Sequence, residues 1–377
     1  MACWRWLLLL WQLSWFHVAE SGFTSFTRYG RPGWNNVTVP ADGIYIVGVT
    51  ADSCYGSRPP VHIQVSLWKP PFFLPAYFIT YAEDIVSHAE AAVALKQNDT
   101  LTLVVHGKVH AATSFSVAYV SGLDGHYTTV VITTYTDSAL LHFDQQLTAK
   151  SWSDSSGNQA SSFSVPATGM YWVTARVVPL SYTASLSVTI EANASTRHLF
   201  TVYGDHYRAV SCSGAFRLSA GSVVRAKNVH SNLVGRYVLL SFVYLEGNRK
   251  PHTGLAEHIA FTATLSSVQK RSHNQIITFP NHLTNYGQLY ASSGHITIHT
   301  SGSYMVSLRA DPKIGVSIRF DLIGNGKVKW SSCSEHGVPS GQTIPMVLEA
   351  NDTLEVVTHD AGFIEAASLF SIAFLHS

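Results

Sequence analysis

The chain of 377 residues is long enough for two or three domains of ordinary size. Its 24 Lys and Arg residues balance 23 Asp and Glu residues without basic runs, which argues against nucleic acid as the main partner. With 46% hydrophobic residues the chain can bury large cores, and this excludes an intrinsically disordered protein. Its 26 glycines are too few for a collagen stalk, in which glycine occupies every third position.

The N-terminal residues 1–21 have the pattern of a secretory signal peptide. An apolar run follows Arg5, and the small residues Ala19 and Ser21 provide a cleavage site, so the mature chain is predicted to begin near Gly22. A short buried helix is the alternative interpretation. No later stretch reaches the roughly 20 apolar residues of a membrane span. The sequence therefore predicts a secreted, extracellular protein with no membrane span.

Cysteine usage fits an extracellular protein only loosely. Once the signal peptide is removed, Cys54, Cys212 and Cys333 remain. Three cysteines cannot all pair within one chain. They are all free and buried, or form one bridge and one free thiol, or include an intermolecular bridge. No Cys-x-x-Cys motif occurs, so neither a zinc knuckle nor a redox pair is indicated.

Four N-glycosylation sequons also suit secretion. They begin at Asn36, Asn98, Asn193 and Asn351. One sequon often arises by chance, but four of them behind a signal peptide predict a glycoprotein.

Internal repetition is the most informative feature of the sequence. A Gly-x-Tyr motif opens an apolar run at Gly43, Gly169 and Gly302, which are almost evenly spaced along the chain. At matching distances after these glycines, each copy has a polar turn and then a closing apolar strand. The closing strands begin at Phe115, Leu240 and Phe370. The period is that of a whole domain, because solenoid and propeller repeats are only about 20–50 residues long.

Within each copy the local patterns are those of β-strands. Phe115, Val117 and Tyr119 alternate with small residues, which is the period of a half-buried strand. Pairs such as Asp42-Gly43 and Asn325-Gly326 indicate turns between strands. A helical period is hard to find anywhere. The sequence predicts an all-β protein of three tandem antiparallel sandwiches.

The repeat also predicts the domain boundaries. The three domains are expected at residues 22–120, 127–246 and 258–377, with polar linkers between them. The first copy is short, because the segment from Phe23 to Gly43 is only about half as long as the segment from Phe261 to Gly302. It is therefore predicted to lack a hairpin before its Gly-x-Tyr strand.

The third copy resembles the globular head of the C1q family, a jelly roll related to tumour necrosis factor. The second copy lacks the Asn-Gly turn of that pattern, and the first copy is the most divergent. The matching segments of the third copy are Ile259-Ala260-Phe261-Thr262, Ile277-Thr278-Phe279, Asn285-Tyr286-Gly287, Gly302-Ser303-Tyr304, Asn325-Gly326-Lys327 and Ser368-Leu369-Phe370. The resemblance implies a C1q/TNF-like jelly roll for each copy. It further implies trimeric association of the heads and non-enzymatic binding of extracellular ligands.

No motif assembles an active site. The chain has no Gly-x-Ser-x-Gly elbow, no zinc-protease motif and no phosphate-binding loop, so we predict neither catalysis nor a cofactor. The histidine pairs His106/His110 and His295/His299 would lie about 13 Å apart on a strand, too far to share one zinc ion. Calcium stays open by family resemblance alone, since some related heads bind it through loop carboxylates.

Two functional hypotheses follow from these observations. The first is a secreted recognition protein whose C1q-like heads bind glycans, microbial surfaces or extracellular proteins, in innate immunity by family resemblance. The second is a cytokine-like receptor ligand or an extracellular-matrix or synaptic organiser. For assembly, the three heads form an intramolecular pseudo-trimer, or each head trimerises with its copies in two other chains. A sandwich-fold glycosidase is disfavoured because carboxylate pairs are scarce.

Overall fold

The structure is a computed structural model. It describes residues 26–29, 36–52, 61–69, 72–73, 78–82, 86–106, 114–122, 125–132, 141–143, 145–150, 153–154, 162–177, 183–192, 195–205, 210–228, 238–245, 259–287, 289, 293–313, 316, 318–334 and 340–376. The predicted signal peptide, 1–21, lies outside these residues. All of the described elements are β-strands and all of their pairings are antiparallel, which confirms the all-β prediction. In this described part, no helix is long and apolar enough to span a membrane.

The strands fall into three sets, which we call the first unit (26–121), the second unit (127–245) and the third unit (259–376). The strands of the first unit are β1 (Phe26–Tyr29), β2 (Asn36–Thr38), β3 (Gly43–Asp52), β4 (Val61–Lys69), β5 (Phe72–Phe73), β6 (Phe78–Ala82), β7 (Val86–Leu95), β8 (Thr100–His106) and β9 (Ser114–Ser121). The strands of the second unit are β10 (Tyr127–Ile132), β11 (Gln145–Lys150), β12 (Ser153–Asp154), β13 (Ser162–Ser164), β14 (Gly169–Val177), β15 (Thr183–Ala192), β16 (Ser195–Asp205), β17 (Val210–Leu218), β18 (Val223–Asn228) and β19 (Val238–Tyr244). The strands of the third unit are β20 (Ala260–Thr264), β21 (Gln269–Arg271), β22 (Gln275–Ile276), β23 (Asn281–Tyr286), β24 (Ile296–Thr297), β25 (Gly302–Ala310), β26 (Ile318–Gly324), β27 (Lys327–Ser334), β28 (Ser340–Leu348), β29 (Thr353–Thr358), β30 (Gly362–Ile364) and β31 (Leu369–His376).

Each unit contains two main sheets, and we call the one that holds the Gly-x-Tyr strand the inner sheet. The third unit also has a two-stranded sheet of β21 and β30. The inner sheets have the orders β1-β9-β3-β7, β11-β10-β19-β14-β17 and β23-β20-β31-β25-β28. The outer sheets have the orders β2-β8-β4-β5, β12-β13-β18-β15-β16 and β22-β29-β26-β27. Along each unit the chain passes repeatedly from one sheet to the other, with some hairpins within a sheet such as β15–β16 and β26–β27, which is the jelly-roll pattern. An apolar core fills the space between the two sheets of each unit.

The three Gly-x-Tyr motifs have the same structure. Tyr45, Tyr171 and Tyr304 are buried, and each hydroxyl donates a hydrogen bond of 2.6 to 2.8 Å to the carbonyl oxygen four residues earlier. Each ring packs edge-on against an aromatic ring of the last strand of its unit, at centroid distances of 5.1 to 5.4 Å: Tyr119, Tyr244 and Phe374. Burial raises the pKa of Tyr45 to about 12. The sequence repeat is therefore a repeat of local packing.

Turn residues also take the conformations that the sequence predicts. Asn325 and Gly326 have positive φ angles of 51° and 70° and form the two-residue turn between β26 and β27. The turn before β8, β18 or β29 has one left-handed residue in each unit: Asn98, Gly221 and Asn351. Only glycine and asparagine adopt this conformation readily, which explains the residue types at these positions.

Among the described residues, the inner sheet of the first unit has one strand fewer than those of the other two units. Its connection between β1 and β2 is only 30–35, whereas the longer segments 133–161 and 265–295 connect β10 to β13 and β20 to β24. These longer connections contain β11 and β23, which pair with the first strands of the second and third units. In the described residues of the first unit no strand takes this place.

Candidate functional site

The inner sheets of the three units meet at a common interface. An apolar cluster combines residues of all three units, so this surface is buried within one chain. Register places Ile46, Trp172 and Met305 at equivalent positions of β3, β14 and β25, and all three belong to the cluster. Its other members are Ile44, Ala92, Ala118, Val120, Tyr127, Met170, Ala215, Val243, Leu245, Ala260, Ala373 and Leu375.

Contacts between the units form a closed cycle. The last inner-sheet strand of each unit contacts the first and the closing strands of the next unit. These contacts join β7 to β10 and β19, β17 to β20 and β31, and β28 to β1 and β9. Each unit therefore touches both others, and we call the interfaces the first–second, second–third and third–first seams.

At the first–second seam, a threonine and a serine of the second unit bind the backbone of the first. Thr129 donates a hydrogen bond to the Ala92 carbonyl oxygen at 2.7 Å, and the Ala92 N–H donates to the Ser241 hydroxyl at 3.1 Å. The two hydroxyl oxygens lie 2.9 Å apart. All three residues are buried, so these bonds satisfy backbone groups that water cannot reach.

The second–third seam repeats this arrangement one unit further along the chain. Thr262 donates to the Ala215 carbonyl oxygen at 2.9 Å, and the Ala215 N–H lies 3.1 Å from the Ser371 hydroxyl oxygen, which accepts from it. The two hydroxyl oxygens are 2.7 Å apart. Two seams therefore share one polar contact built from equivalent residues.

We expect Thr129→Val and Thr262→Val each to lower the free energy of unfolding by about 1–3 kcal/mol, because a buried backbone carbonyl loses its hydrogen-bond donor. Urea denaturation of the two variants measures this, with Thr196→Val at an exposed position of β16 as the control. The symmetry of the seams predicts similar costs for both variants. A cost at only one of them would contradict the equivalence of the two contacts.

The third–first seam departs from the other two. The residue equivalent to Ala92 and Ala215 is Pro345, which has no N–H to donate. Ser116, equivalent to Ser241 and Ser371, instead donates to the Gly48 carbonyl oxygen of its own unit at 3.4 Å.

An apolar contact is also replaced at this seam. Leu239 of the second unit packs in the core of the first, and Leu369 of the third packs in the core of the second. Register places Ser114 at the equivalent position of β9. In the described residues, this seam therefore lacks the leucine, the alanine N–H and the additional strand that the other two seams have.

A buried carboxylate lies where the three units meet. Glu90 of β7 is 1% exposed, and its Oε1 accepts hydrogen bonds from Trp172 Nε1 at 2.7 Å and from the Thr174 hydroxyl at 2.8 Å. Its Oε2 lies 3.5 Å from His88 Nε2. Ser213 of the second unit also donates to Oε1, at 3.3 Å, and Thr343 of the third unit is a further hydrogen-bond donor. One glutamate thus receives hydrogen bonds from side chains of all three units.

Hydrogen bonding decides the ionisation of this glutamate. Burial by itself raises the pKa of Glu90, but hydrogen bonds from His88, Thr343 and Trp172 and the charge of His88 outweigh it, so the pKa lies below its ordinary value. The folded state therefore holds Glu90 as a carboxylate.

This lowered pKa predicts a pH dependence of stability. The ionised Glu90 contributes fully to the free energy of unfolding above the ordinary glutamate pKa of 4.5. This contribution is lost as the pH falls toward the lower pKa of the folded state. The stability difference between the wild type and Glu90→Gln should therefore shrink on acidification, because glutamine stays neutral throughout. Urea denaturation at neutral and acidic pH measures it. The pKa of buried Asp311 is raised and acts with the opposite sign, but it is common to both proteins and cancels in the difference.

A second buried charge joins the second and third units. Arg309 is 1% exposed; its Nη2 lies 2.9 Å from Asp311 Oδ2, and its Nη1 donates to the Thr201 carbonyl oxygen of the second unit at 2.7 Å. Cys212 of the second unit lies beside the same arginine. Burial raises the pKa of Cys212 to about 11 against the opposing effect of Arg309, so the thiol stays neutral.

Of the cysteines and sequon asparagines that were singled out in the sequence and are described in the structure, one lies next to this interface. Cys212 is a free, buried thiol next to it. The side chain of Cys333 on β27, and all of Cys54 and Asn193, lie outside the described residues. The other three sequon asparagines are exposed: Asn36, Asn98 and Asn351.

The histidine pairs do not form a metal site in the described residues. His295 Nδ1 lies 3.1 Å from Glu355 Oε2, and His299 is exposed. His110 and the side chain of His106 are outside the described residues. Among the residues that the structure describes, no group of three or more His, Cys, Asp or Glu side chains could hold a metal ion.

Glu90, Trp172 and Arg309 were not predicted from the sequence as functional residues. A signal for one of them was present, because Arg176 and Arg309 occupy the same position after the Gly-x-Tyr glycine, inside an otherwise apolar strand. A charge repeated at one position of a buried strand indicates a polar contact shared by the copies. Glu90 has no such signal, because Ser213 and Thr343 occupy its equivalent positions.

Comparison with known proteins identifies no family for this chain. No protein-family profile matches it, and no curated protein is significantly similar in sequence. Among solved structures, murine APRIL at pH 8.5 is 20% identical, with a TM-score of 0.28, and the match covers 32% of this chain and 99% of that one. The globular domain of zebrafish complement 1qA is 15% identical, with a TM-score of 0.27, over 31% of this chain and 98% of that one. At these values we base no argument on either match.

Proposed function

We propose that this is a secreted, non-enzymatic recognition protein whose three C1q-like domains, at 22–120, 127–246 and 258–377, assemble within one chain. In this proposal the assembly presents its exposed loops to glycans, microbial surfaces or extracellular proteins, in innate immunity. The observation that carries the proposal is the common interface, where one glutamate receives donors from three different units. Binding through loops on a rigid sandwich is how such folds commonly acquire specificity.

The residues of the interface support intramolecular assembly over a homotrimer of chains. If three first units associated with one another, three Glu90 carboxylates would be buried together without Trp172 or Thr343 as donors. Burying like charges together with fewer partners is strongly unfavourable. In three associated third units, Arg309 would keep Asp311 of its own unit but would lack the Thr201 carbonyl oxygen. The three different units complement one another better than three identical ones would.

Secretion and glycosylation are compatible with the proposed interface between the units. The sequons at Asn36, Asn98 and Asn351 are exposed, and none belongs to the apolar cluster between the units. Glycans at these positions would leave the interface undisturbed. The N-terminal pattern of residues 1–21 supports entry into the secretory pathway.

The mass of the purified mature protein tests the assembly. Light scattering combined with size-exclusion chromatography should give the mass of one glycosylated chain, since the full chain is 41.2 kDa. Enzymatic deglycosylation is the control that separates glycan mass from association. A stable mass of three chains would overturn the intramolecular arrangement.

A binding experiment tests the type of ligand. The immobilised mature protein is incubated with labelled microbial cells and with a glycan array, with and without excess free sugar. Binding that free sugar abolishes supports recognition of carbohydrate. Binding to cells that is insensitive to sugar but lost after protease treatment of the cells would favour a protein receptor, and the protein would then be a cytokine-like ligand or matrix organiser.

A further inference from the structure

The first unit leaves one edge of its inner sheet without a neighbouring strand in the described residues. In the second and third units the strands β11 and β23 pair with β10 and β20 at this edge. Among the described strands of the first unit, β1 lies at the end of its sheet and pairs only with β9. Such an edge carries unpaired backbone groups that can accept a further strand.

The strands that occupy this edge in the other two units share a central Leu-Thr pair. Strand β11 reads Gln-Gln-Leu-Thr-Ala-Lys and β23 reads Asn-His-Leu-Thr-Asn-Tyr. In both, the threonine pairs with an equivalent residue of the first strand, Thr148 with Thr129 and Thr284 with Thr262, and a register shift follows at the same place. The two occupied edges therefore define what fits the third: an extended segment with Leu-Thr at its centre.

The neighbouring unit provides matching contacts where the strand is present. At the second–third seam, Arg197 donates to the Leu283 carbonyl oxygen of β23 at 2.8 Å, and the Arg217 guanidinium lies 5.6 Å from the Tyr286 ring centroid. The Leu283 side chain packs against the core cluster of the second unit. The extra strand thus binds two units at once.

The same positions are uncovered at the third–first seam. Register places Val347 at the position of Arg217 and Lys327 at the position of Arg197. Val347 is 52% exposed, which is unusual for a valine of an inner sheet, and Lys327 is exposed as well. An apolar side chain and a cation therefore stand where the other seam has the two arginines that contact β23.

We propose that this open edge, formed by β1, Val347 and Lys327, is a docking site for an extended peptide segment of a partner protein. The segment adds as a strand antiparallel to β1, with Leu-Thr at its centre and an aromatic residue two positions later to cover Val347. The site is continuous with the third–first seam, so the inference rests on the proposed intramolecular assembly. Strand addition of this kind takes affinity from main-chain hydrogen bonds and specificity from alternate side chains.

A synthetic peptide of residues 280–287, which contains β23, is the probe. Labelled with a fluorophore, it is titrated with the mature protein and its anisotropy is measured. We expect saturable binding that Val347→Asp weakens by about tenfold, because an apolar contact is replaced by a charge. The control is Val328→Asp, which changes an equally exposed valine of β27 and should leave binding unchanged.

Modified peptides test whether the segment binds as a strand. N-methylation at alternate residues removes the N–H groups on one edge, so one methylated set should lose binding and the complementary set should retain it. Equal binding by both sets, or equal affinity for the wild type and Val347→Asp, would overturn the proposal. The two proteins would bind the peptide equally well if it displaced β23 from the third unit instead of pairing with β1.

Light scattering on the same samples separates this inference from the proposed assembly. A one-chain mass without peptide binding overturns the docking site and leaves the assembly intact. A three-chain mass overturns the assembly, and the docking site with it.

Discussion

Replacing Trp172 with alanine should lower the free energy of unfolding by about 3–5 kcal/mol, the cost of removing a large buried aromatic side chain. Trp172 is 1% exposed and packs in the apolar cluster shared by the three units. Its indole N–H also donates to Glu90, so the variant deprives a buried carboxylate of a donor from another unit. The change therefore weakens both the apolar and the polar part of the common interface.

Trp172→Phe separates these two contributions. Phenylalanine keeps most of the apolar contact but cannot donate to Glu90, and we expect about 1–3 kcal/mol for the missing hydrogen bond to a buried carboxylate. Urea denaturation followed by circular dichroism measures both variants without depending on tryptophan fluorescence. If Trp172→Ala cost less than about 1 kcal/mol, the side chain would not be buried between units, and the common interface would be wrong.

Replacing Arg309 with methionine should be equally costly, at about 3–5 kcal/mol, because it leaves Asp311 buried without its cation. Arg309 Nε donates to Asp311 Oδ1 at 3.0 Å, and the guanidinium also binds the Thr201 carbonyl oxygen of the second unit. Both carboxylate and guanidinium are buried, so water cannot replace either contact. Removing Asp311 as well, in Arg309→Met with Asp311→Leu, should restore much of the lost stability.

An exposed arginine of the same unit provides the control. Arg319 is 54% exposed and lies 3.6 Å from Asp321. Because Asp321 keeps hydrogen bonds from Ser331 and His359, we expect Arg319→Met to cost less than about 1 kcal/mol. Similar losses at Arg309 and Arg319 in urea denaturation would contradict the buried position of the first. Failure of the double variant to recover stability would show that the contact with Thr201 outweighs the ion pair.

Local patterns in the sequence determined the fold class of this protein. Alternation in segments such as Phe115–Tyr119 predicts strands because the side chains of a strand point alternately to its two faces. Asn325-Gly326 predicts a hairpin turn because both residues tolerate positive φ, and the structure has this turn. The Gly-x-Tyr repeat predicts three similar units, and each tyrosine makes the same hydrogen bond to a carbonyl oxygen nearby in the chain. These interactions join residues only a few positions apart, so local sequence patterns predict them.

The common interface was decided by tertiary structure alone. Glu90 meets Trp172 across 82 positions of the chain, and Arg309 meets Thr201 across 108. No local period encodes such pairs, because their residue types are complementary only after the units pack. The short first copy was visible in the sequence, but its consequence was not. The cyclic contacts place the end of the third unit against the beginning of the first. The short first copy therefore leaves Val347 exposed beside a strand edge that no described strand covers.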